Sequence, residues 1–169
     1  MREAKPARPA AKETKGSGER PKKILLVNGP NLNMLGRREE EYYGRFTLED
    51  VVRTSRKAAE EAGFSLLDFQ SNHEGDLIDF IHAHLDDASG LLLNAGALSH
   101  YSYALLDALK LCPYPVMEVH ISAVEKREDF RRTSVIRPAC AAVVSGLGIK
   151  SYTKALVLLL DILAENNDE

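Results

Sequence analysis

The sequence predicts an α/β fold, a doubly wound, five-stranded parallel sheet held between two layers of helices. Three observations carry this reading. Short apolar runs recur along the chain, each followed by turn residues and then by a segment with helical spacing of its apolar positions. The runs are apolar at consecutive positions, as in strands covered on both faces. Strands alternating with helical patterns of roughly 10–15 residues imply right-handed crossovers and therefore parallel pairing.

The elements follow in order. Residues 24–27 (Ile-Leu-Leu-Val) form the first strand, stopped by the turn residues Asn28-Gly29-Pro30-Asn31. A polar segment rich in Arg and Glu runs to Phe46. Thr47 is then an N-cap with Asp50 three residues on, and the helix ends at Gly63. Residues 64–69 form the second strand and 70–75 its loop. Leu77, Ile78, Ile81 and Leu85 mark a helix over 76–85. Residues 91–93 are the third strand, ending at Asn94-Ala95-Gly96, and 101–111 the third helix. Residues 115–119 are the fourth strand and 141–144 the fifth, with a last helix over about 150–164. This order fits a flavodoxin-like, three-layer sandwich.

The chain has 169 residues, 44% of them hydrophobic and 28% charged, which suits one soluble domain over residues 23–169. Residues 1–22 contain no Val, Ile, Leu or Phe, and are expected to be a disordered, basic extension. The first 23 residues hold eight bases and three acids, so a net charge of −3 hides a basic tail on an acidic body. Neither a nucleic-acid nor a membrane partner is expected of that body. Two cysteines, Cys112 and Cys140, make no disulfide framework and no zinc motif. The N-terminus lacks the apolar region of a secretory signal, and a cytoplasmic location is expected.

In an open parallel sheet, ligands bind beyond the carboxyl ends of the strands. Those ends deliver Asn28 and Asn31; Gln70, Asn72 and His73; Asn94 and His100; and Glu118, His120 and Ser122. Amides, imidazoles and a hydroxyl suit a small molecule rich in oxygen. The first loop is neither a dinucleotide fingerprint nor a phosphate-binding loop with a terminal Lys-Ser/Thr. His82 and His84 fall on different helix faces and His73 stands alone, so surface or capping roles are expected of them rather than metal binding. The segment from Arg37 to Gly44 places Tyr42 and Tyr43 among arginines, over the carboxyl end of the first strand. It reads either as a solvated charged lid or as a base, because a guanidinium lowers a tyrosine pKa from about 10. Arg127, Arg131 and Arg132 form a second basic cluster able to support the same pocket.

These residues group into motifs. Asn28-Gly29-Pro30-Asn31-Leu32-Asn33, Leu35-Gly36-Arg37-Arg38-Glu39 and Tyr43-Gly44 open the series. Gln70-Ser71-Asn72-His73-Glu74-Gly75, Asn94-Ala95-Gly96-Ala97 through His100, Glu118-Val119-His120-Ile121-Ser122, Arg127-Glu128-Asp129-Phe130-Arg131 and Gly146-Leu147-Gly148 continue it. In this order, across residues 23–163, they resemble the type II 3-dehydroquinate dehydratases.

The resemblance implies a metal-free, cofactor-free anti dehydration of 3-dehydroquinate to 3-dehydroshikimate through an enolate. It implies Tyr43 as the base at C2, preferred to Tyr42 because it precedes the glycine of the motif. Arg38 would stabilise its phenolate, and Asn31 would hold a water or dipole at the enolate oxygen. His120 would protonate the departing C1 hydroxyl, its ring oriented by Glu118, with Arg127 supporting the site. Asn94, Ser122 and the Ile121 backbone would bind the carboxylate, and His100 and Arg131 the ring hydroxyls. Asp107 would reach a neighbouring subunit's site in a dodecamer built from trimers. The role implied is the shikimate pathway, with quinate breakdown as the alternative.

Three positions depart from the family pattern: Glu40 stands where Pro is usual, Leu98 where Tyr is common and Ala123 where Asn is common. Loss of that proline is expected to leave the lid more mobile when empty. The last helix is apolar on nearly every face from Ala155 to Leu160, which predicts either a subunit interface or a long overlap with a neighbouring helix. The reading from another class is a non-catalytic module that binds a hydroxylated acid. It would leave Arg38, Tyr43 and His120 without purpose. No lysine stands inside a strand, Lys23 only starting the first, so dehydration through a lysine Schiff base is not expected. Activity is predicted to survive borohydride added with substrate; substrate-dependent inactivation would contradict that.

Overall fold

The computed structural model describes residues 21–37 and 39–166. Nearly all of the extension read as disordered therefore lies outside the described residues, and so does Arg38. Five strands, β1 (Lys23–Asn28), β2 (Ser65–Gln70), β3 (Gly90–Asn94), β4 (Val116–Val119) and β5 (Ala142–Val144), form one sheet. Every pairing is parallel, in the order β2-β1-β3-β4-β5. The helices are α1 (Glu40–Tyr43), α2 (Leu48–Glu61), α3 (Glu74–Ala83), α4 (Tyr103–Leu109) and α5 (Lys150–Glu165). This is the flavodoxin-like arrangement the patterning predicts. Short 3-10 turns and the single turn α1 complete it.

Alternation along each strand explains why the runs are continuously apolar. Ile24, Leu26, Leu92, Met117, Val119 and Val144 turn one way and pack with α2 and α5. Leu25, Val27, Leu91, Leu93 and Val116 turn the other way and pack with α3 and α4. β2 lies at an edge and is the exception: Asp68 faces solvent and pairs with Arg56 of α2.

Helix α2 shows how local chemistry sets an element's ends. The Thr47 hydroxyl accepts from the Asp50 N–H at 3.2 Å, and the Asp50 carboxylate accepts from the Thr47 N–H at 2.9 Å, a reciprocal cap. At the far end Gly63 takes φ +81°, and the N–H groups of Gly63 and Phe64 turn back to the carbonyls of Glu60 and Ala59. That closure requires a left-handed residue, and glycine adopts it without strain.

The apolar excess of α5 is taken up within the chain. Tyr152, Ala155, Leu156, Leu159 and Leu163 are buried, and Leu158, Leu160 and Ile162 pack half-buried against the same core. Among the large apolar residues of α5, Val157 alone is exposed, at 50%. The overlap with α2 and the sheet covers these residues within the chain. No helix among the described residues is long and apolar enough to cross a membrane. Replacing Thr47 with Ala is expected to lower stability by about 1 kcal/mol. The measurement is urea unfolding, with a lower midpoint at an unchanged slope.

Candidate active site

The strand order reverses between β1 and β3: the chain winds from β1 to β2 on one side and through β3, β4 and β5 on the other. Such a switch point opens a crevice at the carboxyl ends. Here Asn28 and Asn94 end the two strands side by side. The Gly29 N–H donates to the Asn94 carbonyl at 2.8 Å. A Cβ at Gly29 would stand 2.5 Å from the Ala95 carbonyl oxygen, so only glycine permits this approach.

Not every strand-end residue faces the crevice. Asn28 is buried, and its side-chain oxygen accepts from the hydroxyl of Tyr152 on α5 at 2.7 Å. Asn94 donates to the same hydroxyl at 2.8 Å, yet also lines the cleft. Gln70 and Asn72, read as substrate ligands, instead hold the first loop. Gln70 donates to the Gly29 carbonyl at 3.3 Å, and the Asn72 side-chain oxygen accepts from the Asn31 N–H at 2.9 Å. That grip keeps Asn31 in the left-handed region at φ +67°. Asn31 itself is exposed, while its neighbours Pro30 and Leu32 line the cleft.

The wall from β4 carries imidazoles. Glu118 is fully buried, and its Oε1 lies 2.7 Å from His120 Nε2. A carboxylate there accepts the Nε2 proton and leaves Nδ1 as the nitrogen available to a ligand. His100 stacks nearly parallel to His120, with centroids 6.3 Å apart. Its Nδ1 donates to the Thr133 carbonyl at 2.8 Å. Burial holds the His100 ring below its ordinary value, and the His120 and Arg131 charges push the same way against the Thr133 bond. His100 is therefore a neutral ring that offers Nε2 as an acceptor.

The opposite wall is α1. Tyr43 is buried, and its phenolic oxygen accepts from Arg127 Nη1 at 2.7 Å. The same guanidinium lies 4.3 Å over the Tyr42 ring. Burial works against the Arg127 charge, but the bond to Tyr43 and the nearby Glu128 outweigh it and hold its pKa above the usual value. The sequence names Arg127 as a supporting residue but not as the partner of Tyr43; 84 residues separate the two, and no spacing signal joins them. Arg38, to which the resemblance gives the phenolate, lies outside the described residues.

Ile121, Ser122 and Arg131 complete the cleft, with Arg131 braced by Glu128 at 2.9 Å. Arg132 stays outside it and pairs with Asp129. Asp107 stands on the outer side of α4, largely exposed, and does not enter the cleft of its own chain. Of the departures, Glu40 opens α1 and pairs with Arg45 at 2.5 Å, and Leu98 is buried in the core. Ala123 packs under Gly146, where a Cβ would meet the Ala123 methyl at 3.1 Å. His84 pairs with Asp87, and among the described residues no three His, Cys, Asp or Glu side chains gather as metal ligands.

A phenol bonded to a guanidinium on one wall thus faces an imidazole backed by a carboxylate on the other. Amide and guanidinium donors between them suit an anionic, hydroxylated ligand. Comparison with known proteins agrees. The family model "Dehydroquinase class II" matches residues 22–160. A 3-dehydroquinate dehydratase of Caldicellulosiruptor bescii is 51% identical over 143 residues, 84% of this chain and 99% of that one. One from Thermus thermophilus is 50% identical over 141 residues, 83% of this chain and 95% of that one. The crystal structure of the type II dehydroquinase from Butyrivibrio crossotus superposes with a TM-score of 0.80 at 41% identity, over 82% of this chain and 97% of that one. The chain belongs to the class II dehydroquinases.

Proposed function

We propose that this cleft dehydrates 3-dehydroquinate to 3-dehydroshikimate, with Tyr43 as base and His120 as acid. The observation that carries the reading is the Arg127–Tyr43 bond facing the Glu118–His120 pair across one cleft. The C2 proton is acidified only by the adjacent ketone, so its removal needs both a base and a stabilised enolate. The Tyr43 phenolate takes that proton, and the electron pair moves onto the ketone oxygen. The positive guanidinium of Arg127 supports the phenolate, and Arg38 is assigned to the same task. Asn31 holds the water or dipole that meets the enolate oxygen. The enolate then collapses, the C1–O bond breaks, and His120 gives its proton to the leaving hydroxyl to release water. The buried Glu118 carboxylate orients the ring and offsets the imidazolium charge.

Asn94, Ser122 and the Ile121 backbone hold the carboxylate, and His100 and Arg131 hold the ring hydroxyls, all from the lining of the cleft. No cofactor or metal enters this scheme. Asp107 serves the site of a neighbouring subunit in a dodecamer of trimers; the exposed Tyr101 and Tyr103 beside it suit a covered surface. Residues 23–169 act as one catalytic domain. The role assigned is biosynthesis through the shikimate pathway, with quinate breakdown as the alternative. The two unpaired thiols suit the cytoplasm.

Incubation with saturating 3-dehydroquinate is expected to raise enone absorbance, and its absence would overturn the reading. Tyr43→Phe is expected to lower kcat by about 100-fold or more, and near-wild-type activity would remove Tyr43 as the base. Arg127→Gln is expected to lower kcat by about 100-fold while KM changes little, as for loss of one charge-stabilising donor.

A further inference from the structure

Tyr152 lies on α5 beneath the cleft and takes no part in the chemistry above. It is fully buried, and its hydroxyl is the middle link of a relay of four groups. The Gly96 N–H donates to Asn94 Oδ1 at 3.2 Å, which makes that end of the amide the oxygen. The other end, Nδ2, then donates to the Tyr152 hydroxyl at 2.8 Å, and the hydroxyl passes its own proton to Asn28 Oδ1 at 2.7 Å. Each bond sets the direction of the next.

An asparagine amide has nearly the same shape with its oxygen and nitrogen exchanged, so shape alone does not decide which end meets a ligand. Here the Gly96 N–H decides it, and the phenol holds the nitrogen end in place. Asn94 Nδ2 carries two protons and Tyr152 takes one. Burial holds the Tyr152 phenol far above its ordinary value, so it remains a hydroxyl. The arrangement also leaves the buried Asn28 Nδ2 without a hydrogen-bond partner among the described residues, a penalty that an apolar trio would avoid.

We propose that Tyr152 is a positioning residue, which locks the Asn94 amide so that its second N–H, and not its oxygen, meets the substrate carboxylate. The opposite orientation would set an acceptor against an anion. This rests on the carboxylate-binding role given to Asn94 above. The carboxylate is unchanged by the reaction, so the contact acts equally in the ground and transition states and appears in KM.

The test is steady-state kinetics on the full chain with Tyr152→Phe, Asn94→Ala and the double variant, each checked for folding by thermal melting. Tyr152→Phe is expected to raise KM about tenfold with kcat within about twofold. Asn94→Ala is expected to raise KM at least as far, and the double variant to match Asn94→Ala alone, because Tyr152 acts through Asn94. An unchanged KM in Tyr152→Phe beside a raised one in Asn94→Ala would overturn the proposal alone, as would effects that multiply in the double variant. An unchanged KM in Asn94→Ala would overturn the carboxylate role and the proposal with it. Should Tyr152→Phe not fold, Asn28→Ala removes the acceptor of the Tyr152 proton and leaves the ring in place. A several-fold rise in its KM is then expected, and an unchanged KM would overturn the proposal.

Discussion

Close contact between the ends of β1 and β3 is the constraint on which the site depends. The two strands run in register to Asn28 and Asn94, and the backbone of Gly29 then packs against the carbonyl of Ala95. From that seam the first loop must leave on one side and the chain after β3 on the other. The crevice between them is where an open parallel sheet receives a ligand. Gln70 and Asn72 then hold the first loop from β2, while α5 closes the seam from below through Tyr152. The sheet thus supplies both the floor and the fixed points from which the walls are hung.

The acidic balance of the body does not describe the cleft. Within it the charges are individually placed: Arg127 on a phenol, Arg131 braced by Glu128, and Glu118 sealed behind His120. A buried carboxylate is tolerated when a partner shares its charge, and His120 is that partner. His100 is held below its ordinary value, chiefly by burial, and so differs in setting from the ring stacked on it. Two parallel imidazoles are thus set apart because one backs onto a carboxylate and the other onto a carbonyl.

Much of this was legible in the sequence, for identifiable reasons. The strands announced themselves because both faces of the sheet are covered, and α2 because Thr47, Asp50 and Gly63 carry its ends in their own chemistry. What was not legible depends on contacts between distant residues. Helix α1 is a single turn, too short for any period to register. The partnership of Arg127 with Tyr43 spans 84 residues. Asn28, Gln70 and Asn72 have the residue types of ligands, yet structural hydrogen bonds use the same atoms, and only their directions tell the two apart. The apolar surplus of α5 is open to two readings for a related reason, since its pattern does not say whether the covering surface belongs to the same chain. The motif-level resemblance supplied roles that residue type alone left open.

One guanidinium stacks on Tyr42 and hydrogen-bonds Tyr43, the last two residues of α1. The seating of that turn and the hydrogen bond at its phenol are consequently linked. Whatever one contact contributes to the other is returned in equal measure, because a coupling between two equilibria is reciprocal. A turn displaced from Arg127 loses both the cation over its Tyr42 ring and that donor at its Tyr43 oxygen. The packing of the turn and the hydrogen bond at its phenol thus depend on a single side chain.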